Sequence, residues 1–289
     1  MKTMWTLGGL SWRQFALRLW ENESDIFGRA AQLSYYFLLA FVPMLLCLTT
    51  LSGLVMGANS ELTQSFLNYL SELMPPAAFD LVKAALLDIR RGSSSGTLSF
   101  GLLATLWAAS SGVEAIGSSL NAAYNAKETR PWWETRLLAI TLTLAFATLT
   151  IIALILVLCG AKIADGVQAY FHLDQSFSLI WKIVQYPLVI AFVLLALALV
   201  YYFAPNMKGR PWTWVSPGSV VATTLWLLAS FAFRLYLVYF DSYSKTYGSL
   251  GAVIVLMLWL YMTSSAILLG GRINSEIESA IVSHERGEI

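Results

Sequence analysis

Residues 137–160 read LLAITLTLAFATLTIIALILVLCG, 24 positions without a charge. A helix needs about 20 apolar residues to cross a bilayer. Inside lipid the backbone must satisfy its own hydrogen bonds, so a chain with such a run folds there as helices. Five further runs follow the same rule: 33–57 (interrupted by Pro43, where a kink is expected), 98–120, 179–203 (with Lys182 near one end and Pro187 inside), 214–240 and 248–271. Only 12% of the residues are charged and 57% are hydrophobic, whereas a soluble domain carries about 25% charged residues. Six spans and their connections use up most of the 289 residues, which leaves no room for a large soluble domain. The expected fold is one all-α integral membrane domain over 1–289 with six transmembrane helices.

Charge orients the spans. Lys2, Arg13, Arg18, Arg29, Lys127, Arg130, Arg136, Lys208, Arg210, Arg272 and Arg286 fall on one side, 11 in all; Lys83, Arg90, Arg91, Lys162, Lys182 and Lys245 give 6 on the other. Positive charge stays cytoplasmic, so both termini are expected inside, with 272–289 as a cytoplasmic tail. Within 1–32, Trp5, Trp12, Phe15, Leu19 and Trp20 alternate with Arg13 and Arg18. That is the pattern of an amphipathic helix, lying at the membrane surface or packed on the protein's own cytoplasmic side. Residues 58–97 are patterned too. Leu62, Phe66, Leu67, Leu70 and Leu73 recur at helical spacing, Pro75 and Pro76 interrupt, and Phe79, Val82, Leu86 and Leu87 resume. An external helical hairpin between spans one and two is expected, either a lid or a packed cap.

The second span is the odd one. Trp107, Ser110, Ser111, Glu114, Gly117, Ser118, Asn121 and Asn125 follow one another at steps of three or four, which puts them on one helix face. A carboxylate facing lipid costs roughly 3 kcal/mol near the helix centre. Glu114 therefore faces other helices or water, and it sits roughly one and a half turns past the middle of its span. It serves proton exchange, binds a cationic group, or is a structural carboxylate paired with serines or an arginine. Tyr35, Tyr261, Ser265 and Arg272 are candidates to line the same path, with Arg272 the nearest candidate partner. On the external side Arg234, Asp241 and Tyr247 form a candidate rim; Arg234 either snorkels to headgroups or helps to bind an anionic one.

Four blocks resemble the YihY/BrkB family of bacterial inner-membrane proteins along essentially the whole chain: AAQLSYYFLLAFVPMLL; LWAASSGVEAIGSSLNAAYN followed by ETRPWWETRLLA; YYFAPNMKGRPWTWVSPGSVVATTLWLLAS; and SYSKTYGSLGAVIVLMLWLYMTSSAILLGG. The resemblance implies a six-helix inner-membrane protein. Members have carried ribonuclease, virulence and transporter labels, none of which is a settled mechanism. In span six the family block usually has an acid where this chain has Arg272, whereas Asn274 matches.

The function classes then narrow. Metal-assisted phosphodiester cleavage needs converging carboxylates or histidines, and His172 and His284 fall on opposite sides. No P-loop is present. A net charge of +1 gives no electrostatic case for nucleic acid. Cys47 and Cys159 lie far apart in apolar runs and read as buried thiols. No metal or cofactor is expected, and the partners expected are membrane lipids and a small-molecule or lipid substrate. Two readings stay open. One is a non-enzymatic transporter or flippase-like protein whose polar face lines a path; the other is a membrane scaffold, possible as an oligomer, whose polar face only packs.

Overall fold

A computed structural model describes Arg13, Phe15, residues 26–40, Asn68, Ser71, and residues 95–171, 176–207, 212–239 and 242–285. Six helical stretches carry the architecture: α1 (26–40), α2 (Ser95–Ala123), α3 (Trp132–Phe171), α4 (Ser176–Phe203), α5 (Pro217–Tyr239) and α6 (Ser242–Glu285). Among the described residues there is no strand. Most of the expected hairpin over 58–97 and most of the N-terminal amphipathic segment lie outside the described residues, as do Pro43 and the rest of span one beyond residue 40; the last three residues of that hairpin range, 95–97, already belong to α2.

The chain divides into two compact units. One comprises residues 1–40, 110–142 and 197–289. It holds α1, the last part of α2, the start of α3, the end of α4, and all of α5 and α6. The other comprises 41–109 and 143–196; it contains the first part of α2, the rest of α3 and most of α4, including Pro187, through which α4 continues.

Four helices are long and apolar enough to cross a membrane, over Trp132–Val157, Ile183–Phe203, Pro217–Tyr236 and Val253–Ser283. Their large apolar side chains point outward: Ile183, Val184, Leu228, Phe231 and Ile254 are all exposed. In water such surface drives aggregation; in hydrocarbon it is the ordinary exterior of a membrane helix. The polar second span, within α2, is a helix of 29 residues but is not one of these four.

Local chemistry sets the helix ends. Asn125 has φ 49°. Its N–H donates to Ala122 O at 3.1 Å, and Ala126 N–H donates to Asn121 O at 2.8 Å. That pair of bonds around a left-handed residue is a Schellman stop, for which Asn is the usual substitute for Gly. Pro131 leads into α3 and accepts from Glu134 N at 3.0 Å. Ser216 caps α5: its Oγ accepts from Ser219 N at 3.1 Å while Ser216 N donates to Ser219 Oγ at 3.0 Å. Pro217 then occupies the first helical position, where its missing N–H costs nothing. The SPG and APN segments are helix punctuation.

Two elements outrun the sequence expectation. α3 has 40 residues and α6 has 44, each longer than a bilayer crossing at 1.5 Å per residue. Within the expected tail after Gly271, α6 continues to Glu285, with Arg272, Asn274, Ser275, Glu276, Ile277 and Ala280 buried. No proline or glycine interrupts residues 272–285, so nothing stops the helix there.

Candidate functional site

All contacts of the candidate site fall within the first unit. α1 presents Ala30, Leu33, Ser34 and Ala40 to the core, at the spacing of one helix face. A Cβ at Gly112 of α2 would lie 3.4 Å from the Phe37 ring and 3.6 Å from the Ala40 methyl, so α1 and α2 meet where α2 is small. Ser110 and Ser119 are buried, and Ser119 Oγ donates to Ala115 O at 2.9 Å.

Glu114 is held by Arg136, four residues into α3. Arg136 Nη1 donates to Glu114 Oε2 at 2.7 Å and to Ser111 Oγ at 3.2 Å. The arginine side chain is 7% exposed and the glutamate 33%. Two partly enclosed cavities flank the pair. The larger, of about 460 Å³, is lined by Arg29, Val113, Glu114, Gly117, Ser118, Asn121, Glu128, Arg130, Thr135, Leu138 and Leu142, among others. The smaller, of about 350 Å³, is lined by Gln32, Leu33, Tyr36, Ser111, Glu114, Ala115, Ser118 and Ser119. Glu114 and Ser118 belong to both walls.

A second ion pair closes one end of the larger cavity. Arg130 grips both oxygens of Glu128, with Nη2–Oε2 at 2.7 Å and Nε–Oε1 at 2.8 Å. It also donates to the last carbonyls of α4, Phe203 O at 3.3 Å and Ala204 O at 2.8 Å. The Arg130 side chain, more than any other group, lowers the Glu128 carboxyl to about 2; its hydrogen bonds to the ionised form outweigh the opposing effect of burial. Asn121 Nδ2 donates to Glu128 Oε2 at 2.8 Å, and Asn121 Oδ1 accepts from Asn206 N at 2.7 Å. Asn206 in turn donates to Lys127 O and Thr129 Oγ1. The α2–α3 connection is thereby buttoned to the end of α4.

Below this lies a close-packed polar joint. Asn274 Oδ1 accepts from Gly218 N at 2.8 Å and Asn274 Nδ2 donates to Ser216 Oγ at 2.9 Å. A Cβ on Gly218 would run into the Gly270 carbonyl and Asn274. Tyr201 OH donates to Ile267 O at 2.8 Å. Arg272 pairs with Glu276 at 2.7 Å rather than with Glu114, and its Nη1 donates to Ala123 O at 3.2 Å. Ser275 Oγ donates to the same carbonyl at 3.0 Å. Arg272 and Ser275 thus finish the end of α2, while the acid that compensates Arg272 stands one turn on, at Glu276.

The candidates from the sequence therefore separate. Glu114, Ser118 and Asn121 line the larger cavity, and Glu114, Ser111 and Ser118 the smaller. Ser110 is buried, Tyr35 is exposed with its ring 6.0 Å from that of Tyr36, and Ser265 Oγ returns to Tyr261 O at 2.8 Å. Asn125 ends α2. Arg234 is exposed on α5. Asp241 lies outside the described residues, as does the side chain of Tyr247 within α6, so the external rim is not described. Arg29, Glu128, Arg130, Arg136 and Asn206 are additions of the structure. In the sequence the three central ones read only as connection charges.

The fold and these pairs define a polytopic α-helical membrane protein. The family described as "Virulence factor BrkB" matches residues 20–288, and the chain belongs to that family. It is 36% identical over 250 residues, 86% of this chain and 88% of the relative, to a "putative ribonuclease-like protein" YfkH of Bacillus subtilis. It is 23% identical over 288 residues, 96% of this chain and 95% of the relative, to a UPF0761 membrane protein of Aggregatibacter aphrophilus. A UPF0761 membrane protein of Aeromonas salmonicida is 29% identical over 252 residues, 83% and 80% of the two chains. No solved structure matches.

Proposed function

We propose that this protein is a transporter or flippase-like protein of the bacterial inner membrane, with six spans and both termini cytoplasmic, and that the cavities beside Glu114 belong to its substrate path. The observation that carries the reading is Glu114, paired with Arg136, standing in the wall common to two cavities. A pair that served packing alone would be enclosed by neighbours, because charges taken from water need full compensation. Here the carboxylate stays a third exposed. A side chain shared by both walls and held by an ion pair is placed to act as a gate between the two spaces. The lining mixes charge with Val113, Leu138 and Leu142, which suits an amphipathic substrate.

We read the protein as non-enzymatic. Both carboxylates of the larger cavity are committed to arginines, which opposes their use as metal ligands or general bases. Among the described residues no three His, Cys, Asp or Glu side chains gather as a metal site. The word ribonuclease-like belongs to the Bacillus relative. The scaffold reading draws on the α2, α5 and α6 joint, where Asn274, Arg272 and Ser275 only hold helix ends together.

The test is reconstitution into vesicles carrying a trace of fluorescent phosphatidylglycerol, with quencher added outside. Wild-type protein is expected to expose inner-leaflet label faster than protein-free vesicles, and Glu114→Gln to slow this by roughly tenfold, the loss of one charge-assisted contact. Flux in the variant equal to wild type removes Glu114 from the path. Wild-type vesicles no faster than empty ones remove the flippase reading.

A further inference from the structure

The larger cavity carries more charge than its pairs consume. Four ionised side chains line it, Arg29, Glu114, Glu128 and Arg130. Glu114 is compensated by Arg136. Glu128 and Arg130 compensate each other through two bonds, and the other donors of Arg130 are spent on Phe203 O and Ala204 O. Arg29, half-buried on α1, has no carboxylate and no hydrogen-bond acceptor among the described residues. A guanidinium stays charged at any pH the cell reaches, so the described residues of the lining carry one uncompensated positive charge.

Hydroxyl groups stand in the same wall. Ser118 is exposed and makes no hydrogen bond among the described residues. Thr135 Oγ1 makes only a 3.5 Å contact with Pro131 O, at the weak limit for such a bond. A fork of guanidinium donors with two hydroxyls fits an oxyanion. Val113, Leu138 and Leu142 add an apolar wall.

We infer that this cavity is a binding site for a phosphate-type oxyanion, held by Arg29 with help from Ser118 and Thr135, and that Val113, Leu138 and Leu142 receive the apolar part of an amphiphile that carries it. The inference deepens the transport reading by naming the substrate class, and its readout is binding rather than flux. The same headgroup chemistry belongs to an acidic phospholipid and to free phosphate; the apolar wall favours the lipid.

Calorimetric titration of the full-length protein in a neutral detergent separates the cases. The probes are dihexanoyl phosphatidic acid below its micellar concentration, dihexanoyl phosphatidylcholine and inorganic phosphate. Saturable binding of the phosphatidic acid is expected, with affinity falling roughly tenfold or more in Arg29→Gln and largely retained in Arg29→Lys. Phosphate bound as tightly as phosphatidic acid, with the same Arg29 dependence, upholds the oxyanion site and overturns the lipid source. Phosphatidylcholine bound equally well with no dependence on Arg29 overturns the anion site, as does Arg29→Gln binding like wild type or no saturable binding by any probe. Should Arg29→Gln not fold, the Ser118→Ala, Thr135→Val double variant decides: unchanged affinity overturns the site and a several-fold loss supports it. Binding without flux in vesicles leaves this inference standing and removes the transport reading.

Discussion

Glu114 shows how far one residue can be read before its neighbours are known. Its helix face is legible because serines, glycines and asparagines recur at steps of three and four from Trp107 to Asn125. Its partner is not. Arg136 lies 22 positions away, across a turn whose geometry depends on the Asn125 stop and on Pro131, and several other arginines have an equal formal claim. Arg272 is the one that α6 offers by depth, yet Glu276 takes it within the same helix. The consequences for stability follow from the unequal burial of the pair. Glu114→Gln leaves a nearly buried guanidinium facing a neutral amide in place of its carboxylate, and Arg136→Gln leaves a carboxylate that water reaches. The first change is therefore expected to be the more damaging, by about 1–2 kcal/mol, below the 3–5 of a fully buried pair because a third of the carboxylate is exposed. The Glu114→Gln, Arg136→Gln double variant is expected to recover part of the loss. Thermal unfolding of the three variants in one detergent measures this, and additive losses would mean that the two side chains do not interact.

At the scale of helices, the sequence locates the apolar runs but not their ends. α3 and α6 overrun their spans because composition changes from apolar to polar at the membrane surface while helix propensity does not. The tail after Gly271 looks like a polar terminus, yet Ile277 and Ala280 are fully buried. The paired glycines are the other element that hydropathy hides. Gly270 and Gly271 read as the end of a span, and Gly218 as part of a helix start. In the structure Gly218 and Gly270 are the point where α5 and α6 touch backbone to backbone, and Asn274 closes the joint. Small residues do this in membranes because close approach of helices replaces the hydrophobic drive that lipid removes. Substitutions there should divide by the space available. Gly218→Ala places its methyl against the Gly270 carbonyl, which cannot rotate away, and is expected to cost about 3 kcal/mol or more. Gly112→Ala meets the edge of the Phe37 ring at 3.4 Å and the Ala40 methyl at 3.6 Å and is expected to stay within about 1 kcal/mol of wild type. Yield of monodisperse protein and its thermal midpoint report both; equal behaviour of the two would contradict the close contact.

For the molecule as a whole, the contacts of the first unit bear on topology in a way that charge counting does not. Asn206 bonds to the α2–α3 connection, Asn274 to the start of α5, and Arg272 and Ser275 to the last carbonyl of α2. The α2–α3 connection, the α4–α5 connection and the late turns of α6 therefore gather at one end of the helices, together with Arg29 of α1, which lines the same cavity as Arg130. These are the segments that carry Lys127, Arg130, Arg136, Lys208, Arg210 and Arg272. Two independent arguments thus bear on the proposed topology: packing puts the described parts of these segments on one side, and the proposed orientation makes that side cytoplasmic on the ground of positive charge. Alkaline phosphatase fused after Lys127, after Lys208 and at the C-terminus is expected to be inactive in all three, and active when fused between α3 and α4. The two arguments fail separately. Activity at all three sites, with none between α3 and α4, would leave the packing intact and reverse the charge argument. A split result, active after Lys208 and inactive at the C-terminus, would break the contact between Asn274 and the start of α5, and with it the shared wall on which the cavity depends.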